Sequence, residues 1–558
     1  MTFCNFQWHL VLVNFMTCGL EICVAAGITY VPPILLEAGV EEQYMTMVLG
    51  IGPVLGLVLV PLIGSASDNC HSTFGRRRPF IWLLSAGVLL SLLIIPHADF
   101  LASYFKGREE SVYIFLLIFG VGLLDCCVQV CFTPLEALLS DLCNDGEGCG
   151  LAFAMFSFMI GVGGCIGYLL SSVNWNYTLM SLYLGGPDEC LFSILTLIFI
   201  ISVLVTMKTS RETFYEQQQA MDLNPMSTSV FLFRGCCIPK WKLRSWTCNS
   251  LLCLLSPCWS FNPRLYHRYC RIPPVIKHLC ATQLFSWMAV MSFMMFYTDF
   301  VGEGLYNGIP SAAPGTESRI RYDEGIRMGS LGLFLQCATS TFFSVFMNQL
   351  TKHFGSKRIY LASMITFTLS ALVICLSQNI VLVTIMSSLT GFAYATLQTV
   401  PYTLICLYHK EKDVFMPKKL SCPNNLNAVT KQADYFASNN NEDGIYAPKG
   451  ATKEKDEEMY ISCDLNGYGH THNKPFLARH NSSEDDYTER GIGLDFAMLD
   501  SAFLLSQVFL SLFMGIVVQS LDSVTVYIAS SVIFGVFGIY LANQVLFDQR
   551  STKTIYFG

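Results

Sequence analysis

Five carboxylic acids lie inside long apolar segments of this sequence, whose interiors contain no lysine or arginine. They are Glu21, Asp125, Glu136, Asp299 and Asp500. An ionisable side chain within a membrane span is costly and by default marks a functional path. Because a carboxyl group in apolar surroundings can exchange a proton near neutral pH, these acids favour proton binding and disfavour an anionic substrate.

The acids differ in how well they fit that role. Asp125 lies deep in its segment, and only Gln129 stands one helical turn away as a partner, so we predict Asp125 as the main proton-coupling residue. Glu21 suits either proton coupling or a structural hydrogen bond to a neighbouring helix. Asp299 and Asp500 lie near segment ends, where they either join the same cavity or simply face water.

Aromatic and amide side chains in the same segments are candidates for binding a neutral sugar, which presents both hydroxyl edges and flat CH faces. The candidates are Gln129, Trp287, Tyr297, Gln336, Gln398 and Tyr402. Each aromatic residue can equally be a core or lipid-facing residue, so a purely structural role stays open.

A second cluster lies between the second and third apolar segments. It consists of Asp68, Gly75, Arg76, Arg77 and Arg78. A carboxylate and arginines at a helix junction can pair in one conformation of a carrier and part in another, which would make them a conformational latch. We predict an exposed pair, whose removal costs little stability. The arginines alone also fit a plain topology signal.

The seven-residue spacing of this cluster recurs in the second half of the chain. Asn348 precedes Gly355 by the same distance as Asp68 precedes Gly75, and basic residues follow both glycines. The recurrence indicates two duplicated halves. Asp141 and Asp495, by contrast, are expected at the cytosolic surface without a role.

Composition places the chain in a membrane. Of its 558 residues, 53% are apolar and 13% are charged, about half the roughly 25% of an ordinary soluble protein. These values exclude a soluble enzyme and a disordered scaffold, and a net charge of −7 excludes a nucleic-acid binder. The 23 cysteines lie mostly in apolar runs, which predicts neither a disulfide framework nor a metal site. We expect no cofactor beyond the coupling proton.

Apolar runs and their breakers predict twelve membrane spans in an all-α protein. They cover residues 9–35, 45–66, 79–97, 112–137, 151–173, 190–208, 277–301, 326–349, 358–377, 380–408, 494–518 and 523–546. With both termini cytosolic, 29 of the 34 basic residues fall on the cytosolic side, as the positive-inside rule requires.

The spans group into two six-helix halves. The predicted domains are an N-terminal bundle (1–208), a cytosolic linker (209–276), the first four helices of the C-terminal bundle (277–408), a disordered cytosolic loop (409–493), the last two helices (494–546) and a cytosolic tail (547–558). Two such halves around a central cavity suit alternating access. The spacings Gly52…Gly56 and Gly163…Gly167 predict close helix packing. Asn176 opens a glycosylation sequon in a loop predicted to lie outside.

The Asp68…Gly75-Arg76-Arg77 segment resembles the G-x-x-x-D…G-R-[RK] pattern of the major facilitator superfamily. Further segments resemble solute carrier family 45 across essentially all twelve spans. They are Gly19-Leu20-Glu21, Thr29-Tyr30-Val31-Pro32-Pro33, Gly75-Arg76-Arg77-Arg78-Pro79-Phe80, Tyr297-Thr298-Asp299-Phe300 and Asp500-Ser501-Ala502-Phe503-Leu504-Leu505-Ser506-Gln507.

The resemblance implies a twelve-helix major facilitator bundle and a proton-coupled sugar symporter related to plant sucrose carriers. Those carriers have a basic residue eleven positions after the acid that aligns with Asp125, whereas this chain has Glu136. The expected partners are a sugar (sucrose or a hexose), protons and the lipid bilayer, with a monomer in the plasma membrane or in vesicles. The alternatives are a non-transporting membrane scaffold and a carrier of another neutral or cationic solute.

Overall fold

The computed structural model describes residues 2–38, 42–68, 70, 74–105, 109–143, 146–172, 186–210, 272–309, 312, 316–410, 491–521 and 523–545. Apart from their ends, the predicted linker (209–276) and loop (409–493) lie outside these residues, as do the tail (547–558) and Asn176.

The first half of the chain is helical throughout the described ranges. Its helices are α1 (Thr2–Val13), α2 (Phe15–Glu37), α3 (Glu42–Asp68), α4 (Arg78–Ile94), the short α5 (Ala98–Ala102), α6 (Glu109–Leu142), α7 (Gly146–Ser172) and α8 (Pro187–Thr209). α1 and α2 follow each other directly, with only Asn14 between them, and together match the first predicted span.

The second half repeats this pattern. Its helices are α9 (Pro274–Asp299) with a π-helical turn (Phe300–Leu305), α10 (Glu317–Phe354), α11 (Ser356–Leu376), α12 (Ile380–Leu389), α13 (Gly391–Lys410), α14 (Ile492–Leu521) and α15 (Thr525–Ala542). α12 and α13 are separated by Thr390 alone and together match the tenth predicted span.

Every predicted span falls on one helix or on two helices joined end to end. Ten helices within the described ranges are long and apolar enough to cross a membrane. Two shorter apolar helices, Phe15–Gly27 and Arg78–Ile94, occupy the first and third spans. The helices agree with a twelve-span arrangement, and the count of twelve itself stays a prediction.

The two halves meet along two seams. α3 of the first half packs on α14 of the second, and α7 of the first packs on α10 of the second. Within the halves, α2 packs on α7, α3 and α4 on α6, and α9 and α11 on α15. Large apolar side chains on the outer faces remain exposed, for example Phe115, Leu197 and Phe537, as expected of helices whose solvent is lipid.

The turns after α3 and α10 each contain a glycine with a positive φ angle. Gly75 has φ 108° and Gly355 has φ 85°, and they are the glycines with positive φ in the part of the chain that the structure describes. Residues with a Cβ avoid this region, so glycine is favoured at both turns. Equivalent turns in the two halves support the duplication that the sequence spacing indicates.

Both glycines of the Gly163…Gly167 spacing lie against α2. A Cβ at Gly163 would lie 2.7 Å from the Cys18 carbonyl oxygen, and one at Gly167 would lie 2.6 Å from the Ala25 Cβ. These contacts confirm close packing of the backbones of α7 and α2. In the other spacing, Gly52 faces α6 and Gly56 faces Leu504 of α14.

Replacing Gly167 by Ala should therefore destabilise the first half. The added methyl group would meet Ala25 and the Ile22 carbonyl oxygen, at 2.9 Å, so α2 and α7 must separate. We expect a loss of about 1–3 kcal/mol, measured as a lower thermal unfolding midpoint in detergent. Gly148→Ala is the matched control in the same helix, because a Cβ at Gly148 would meet nothing within 4 Å. Equal midpoints for the two variants would contradict the packing role.

Candidate functional site

The Asp68 carboxylate, at the end of α3, joins the two halves of the protein. Its Oδ1 accepts hydrogen bonds from Arg77 Nη2 at 2.6 Å and from the backbone N–H of Gly493 at 3.1 Å. Its Oδ2 accepts from the N–H of Leu494 at 3.0 Å. The first turn of a helix has unsatisfied N–H groups and a partial positive charge. Asp68 therefore binds the N-terminus of α14 across the seam.

Arginines in the turn between α3 and α4 complete this network. Arg77 also donates to Ser67 Oγ at 2.6 Å and to Asp141 Oδ2 at 3.1 Å, while Arg76 donates to Asp141 Oδ1 at 2.7 Å. Burial opposes the charge of Arg77, but Asp68 and Asp141 outweigh it and raise the pKa of its guanidinium. Arg78 Nη2 donates to the carbonyl oxygen of Met207, at the end of α8, at 2.5 Å. We call this end of the bundle the basic end, after Arg76–Arg78.

The expectation of an exposed Asp68–arginine pair is wrong. The Arg77 side chain is 0% exposed and that of Asp68 is 10% exposed, because α14 covers both of them. The expectation that Asp141 and Asp495 are idle surface residues is also wrong. Asp141 pairs with Arg76 and Arg77, and Asp495 is fully buried against His409.

The matching position in the second half, Asn348, lies at the other seam. Asn348 of α10 lies beside the N-terminal part of α7, since a Cβ at Gly150 would be 2.9 Å from its Oδ1. Farther along the same seam, the hydroxyls of Ser157 and Ser344 are hydrogen-bonded at 2.8 Å. These two contacts of the α7–α10 seam thus join neutral groups, whereas the contacts of Asp68 at the α3–α14 seam involve charges.

Asp125 lies on α6 where that helix faces the α3–α14 seam. A Cβ at Gly52 would overlap Asp125 Oδ2, so the absence of a side chain there makes room for the carboxylate. Gln129 Nε2 donates to Asp125 Oδ1 at 3.3 Å and approaches Gln507 Oε1 of α14 at 3.4 Å. The predicted Asp125–Gln129 contact is present, and Gln507 extends it into the second half.

Glu21 also makes a contact across the halves. Tyr394 of α13 donates its hydroxyl to Glu21 Oε1 at 3.4 Å. The Tyr394 ring lies edge-on to Trp287, with ring centroids 5.9 Å apart, and Trp287 lies edge-on to Phe503 at 4.6 Å. The indole Nε1 of Trp287 is buried and has no hydrogen-bond partner among the described residues. A free donor on a buried aromatic residue is a suitable contact for a polar ligand.

Glu136 and Asp500 meet between the halves, and neither faces water, since they are 2% and 5% exposed. Asp500 accepts hydrogen bonds from Thr133 Oγ1 at 2.5 Å and from the Tyr402 hydroxyl at 2.9 Å. Glu136 lies one helical turn beyond Thr133 on α6, beside Asp500 and Tyr402. The water-facing alternative for Asp500 is therefore wrong.

Asp299 and Tyr297 lie elsewhere. Asp299 is the last residue of α9, at the opposite end from the basic end, and is partly buried. Tyr297 is fully buried with its ring against Gly332 and Phe293, where it forms core between α9 and α10. The roles predicted for all of these residues stay predictions.

Several partners in these contacts were not predicted as site residues. They are Thr133, Tyr394, Gln507 and the N-terminal turn of α14. A hydroxyl or amide in an apolar helix is too common in sequence to stand out without its partner. Within the described ranges, no group of three or more His, Cys, Asp or Glu is placed to hold a metal ion.

Comparison with known proteins decides the family. The chain is 48% identical to mouse solute carrier family 45 member 3 and 47% identical to the human protein, over 97% of this chain and 96% of each relative. This chain belongs to solute carrier family 45. The resemblance stated from the sequence is confirmed, although no protein-family model matches the chain.

Rat proton-associated sugar transporter A is a more distant relative, 21% identical over 73% of this chain and 77% of its own length. Among solved structures, the human organic anion transporter MFSD10 superposes with a TM-score of 0.55 at 13% identity, covering 96% of this chain and 99% of that chain. The proton:xylose symporter XylE has a TM-score of 0.52 at 10% identity, covering 96% and 94%. These likenesses show the major facilitator fold, and this family 45 protein is a multi-pass membrane transporter.

Replacing Asp68 by Asn should loosen the basic end of this family 45 carrier. The amide keeps the size of the side chain but removes its charge and one of its two acceptor oxygens. Cys149 and Cys406 are buried near this end, so we expect N-ethylmaleimide to label them about tenfold faster in the variant. Labelling is followed by peptide mass spectrometry at fixed pH, and net transport should slow.

Asp141→Asn is the matched control, because Asp141 binds the same arginine without a described contact to α14. Breaking this buried ion pair should lower stability and leave labelling close to wild type. Equal labelling of the wild type and Asp68→Asn would reject the latch role of Asp68.

Proposed function

We propose that this protein is a proton-coupled symporter of a neutral sugar (sucrose or a hexose) that works by alternating access in the plasma membrane. One observation carries the proposal. Two carboxylic acids inside the membrane, Asp125 and Glu21, have polar contacts that end on the opposite half, at Gln507 and Tyr394. A change in protonation of either acid is thus linked to how the two halves fit together.

The surroundings of these acids favour a neutral substrate. Within the described residues, neither Asp125 nor Glu21 forms an ion pair with a lysine, arginine or histidine, and acids without a basic partner disfavour a carboxylate or phosphate beside them. Trp287, with its free Nε1 donor, offers the combination of a flat apolar face and a polar group that a sugar requires. The name of the rat relative, proton-associated sugar transporter A, supports the same substrate and ion.

The contacts at the basic end support a carrier cycle. Asp68 and the N-terminus of α14 bind each other across the seam, so this conformation is shut at the basic end. On the orientation predicted from the basic residues, that end faces the cytosol, and the conformation takes up sugar and proton from outside. Release into the cytosol then requires the Asp68 contact to break.

A cationic solute is the second candidate. The observation that favours it is the acidic character of the interior, because unpaired carboxylates attract positive charge as readily as they bind a proton. The two candidates separate in reconstituted liposomes. An imposed pH gradient should drive accumulation of a labelled sugar, whereas a labelled cation should accumulate under a membrane potential. Absence of gradient-driven uptake for every sugar tested would overturn the sugar proposal.

Replacing Asp125 by Asn should separate proton coupling from sugar binding. The amide keeps the size and can still hydrogen-bond Gln129, but it cannot titrate. We expect pH-driven accumulation to fall at least tenfold while equilibrium exchange of sugar persists. Both are measured in the same reconstituted preparation.

Asp99→Asn is the matched control, because Asp99 is an exposed acid of the short helix α5. It should leave both modes of transport unchanged. Retained pH-driven accumulation in Asp125→Asn would contradict the proton-coupling role of Asp125 and make Glu21 the next candidate. Parallel loss of accumulation and exchange, with less protein, would mean that Asp125 is structural.

A further inference from the structure

The Glu136–Asp500 pair is set apart from Asp125 by its position. Glu136 follows Asp125 by eleven residues on α6, or about 16 Å along a helix. It lies about two turns from the end of α6 at Leu142, and Asp500 lies about two turns from the start of α14 at Ile492. The pair is therefore inside the closed basic end.

Two ionised carboxylates cannot remain in contact at this place. Burial removes the water that would solvate their charges, and their mutual repulsion grows as the local dielectric constant falls. A hydrogen bond between two carboxyl groups needs a proton on one of them. Glu136 lies beside Asp500, and its Oε2 is buried without a partner in the described part of the chain.

Neighbouring groups do not supply a compensating positive charge. Asp500 receives hydrogen bonds from two neutral hydroxyls, Thr133 of α6 and Tyr402 of α13. Toward the basic end, His409 of α13 binds Asp495 of α14. The basic side chain of His409 is therefore bound to a different acid, Asp495.

Among the described residues, further charged groups toward the basic end of the elements around the pair include Arg76, Arg77, Asp68, Asp141 and Lys410. The two arginines bind Asp141, and Arg77 also binds Asp68. Among the described residues, no lysine, arginine or histidine forms an ion pair with Glu136 or Asp500.

The pair belongs to both halves of the protein. Glu136 and Thr133 lie on α6, whereas Asp500 and Tyr402 lie on α14 and α13. Phe153 of α7 stacks on Tyr402, with ring centroids 5.6 Å apart, on the same interface. Parting of the halves at the basic end necessarily separates the two acids and brings water to them.

We infer that Glu136 and Asp500 form a proton-binding site of the basic-end gate, which closes only with a proton held between the two carboxyl groups. Opening the gate separates the acids and releases the proton, and closing takes one up again. Because the acids reach water when the basic end opens, this proton exchanges with that compartment, the cytosol on the predicted orientation. It does not cross the membrane, so the site senses pH and is separate from the coupling proposed at Asp125.

The sign of the pH effect follows directly. The closed gate binds one proton more than the open gate, so a lower pH favours the closed gate. One proton limits the change in the closed-to-open ratio to tenfold per pH unit. Acidification of the cytosol should therefore hold the gate shut and slow release of substrate.

A distance measurement tests this without any substrate. Phe74 and Phe354 lie on opposite halves at the basic end, and their side chains are 61% and 49% exposed. p-Acetylphenylalanine at both positions accepts spin labels and leaves the native cysteines untouched. In nanodiscs between pH 5.5 and 8.5, the short-distance population should grow as pH falls, by up to tenfold per unit in its ratio to the long one.

Glu136→Gln should remove this response, because its amide can donate a hydrogen bond to Asp500 at any pH. We expect the ratio to change by less than about twofold over the same range, with the closed gate dominant. Asp500→Asn tests the same site from the other half, should one variant fold poorly. A wild-type ratio that does not depend on pH, or a full response in either folded variant, would overturn the inference.

Two further variants separate this site from others. His409→Gln removes a titrating side chain whose partner, Asp495, lies in the same half, so the pH response should persist. If His409→Gln lost the pH response while Glu136→Gln kept it, the sensor would be His409 and the inference would be overturned. Asp125→Asn should keep the pH response. Loss of the response in Asp125→Asn alone would also overturn the inference. Failure of sugar uptake would leave the gate result standing, since no sugar enters this measurement.

Discussion

The structure depends on one carboxylate that binds the end of a helix. Asp68 accepts hydrogen bonds from the N–H groups of Gly493 and Leu494, in the first turn of α14, and from the guanidinium of Arg77. In an apolar bundle, unsatisfied N–H groups of a helix terminus and a buried guanidinium both need an acceptor, and Asp68 serves both. Gly491 and Gly493 allow the approach, because a Cβ at either glycine would lie within 3 Å of Asp68. Closure at this end is thus a polar contact made between apolar helices.

The two seams between the halves differ in the charge of the groups that meet there. At the α3–α14 seam a charged network closes the basic end, whereas at the α7–α10 seam the equivalent residue is the neutral Asn348, beside Gly150. A hydroxyl pair, Ser157 with Ser344, continues the second seam. Neutral hydrogen bonds are individually weaker than charge-assisted ones. The contacts described at the two seams of this approximately two-fold architecture therefore differ, with charged groups at one seam and neutral groups at the other.

α6 carries two acids, Asp125 and Glu136, that have different neighbours. Asp125 occupies the space left by the missing side chain of Gly52. The amide groups of Gln129 and Gln507 connect it to the second half. Glu136 instead lies directly against another carboxyl group. A basic side chain at the position of Glu136 would form an ion pair where, on our inference, this protein holds a proton. The acid at this position gives the gate a dependence on pH that an ion pair would not have.

The sequence by itself determined the class of protein, the positions of its helices and the family. Long apolar runs leave few structures other than membrane helices, because backbone N–H and C=O groups must be satisfied within each segment. It also determined which acids lie in the membrane and that Gly163 and Gly167 pack closely, since both follow from local composition and spacing. The recurring spacing at Gly75 and Gly355 likewise indicated the two duplicated halves.

Only the tertiary structure decided which of these residues meet. Asp68 and Leu494 are 426 residues apart, and Thr133 and Asp500 are 367 apart, so no local pattern indicates either contact. Burial of Arg77 likewise depends on α14, from the other end of the chain, and Asp495 is buried against His409 of another helix, α13. For this reason both looked like surface residues in the sequence. Charges and hydroxyls acquire their roles from the partner that folding brings to them, and that partner lies on another helix.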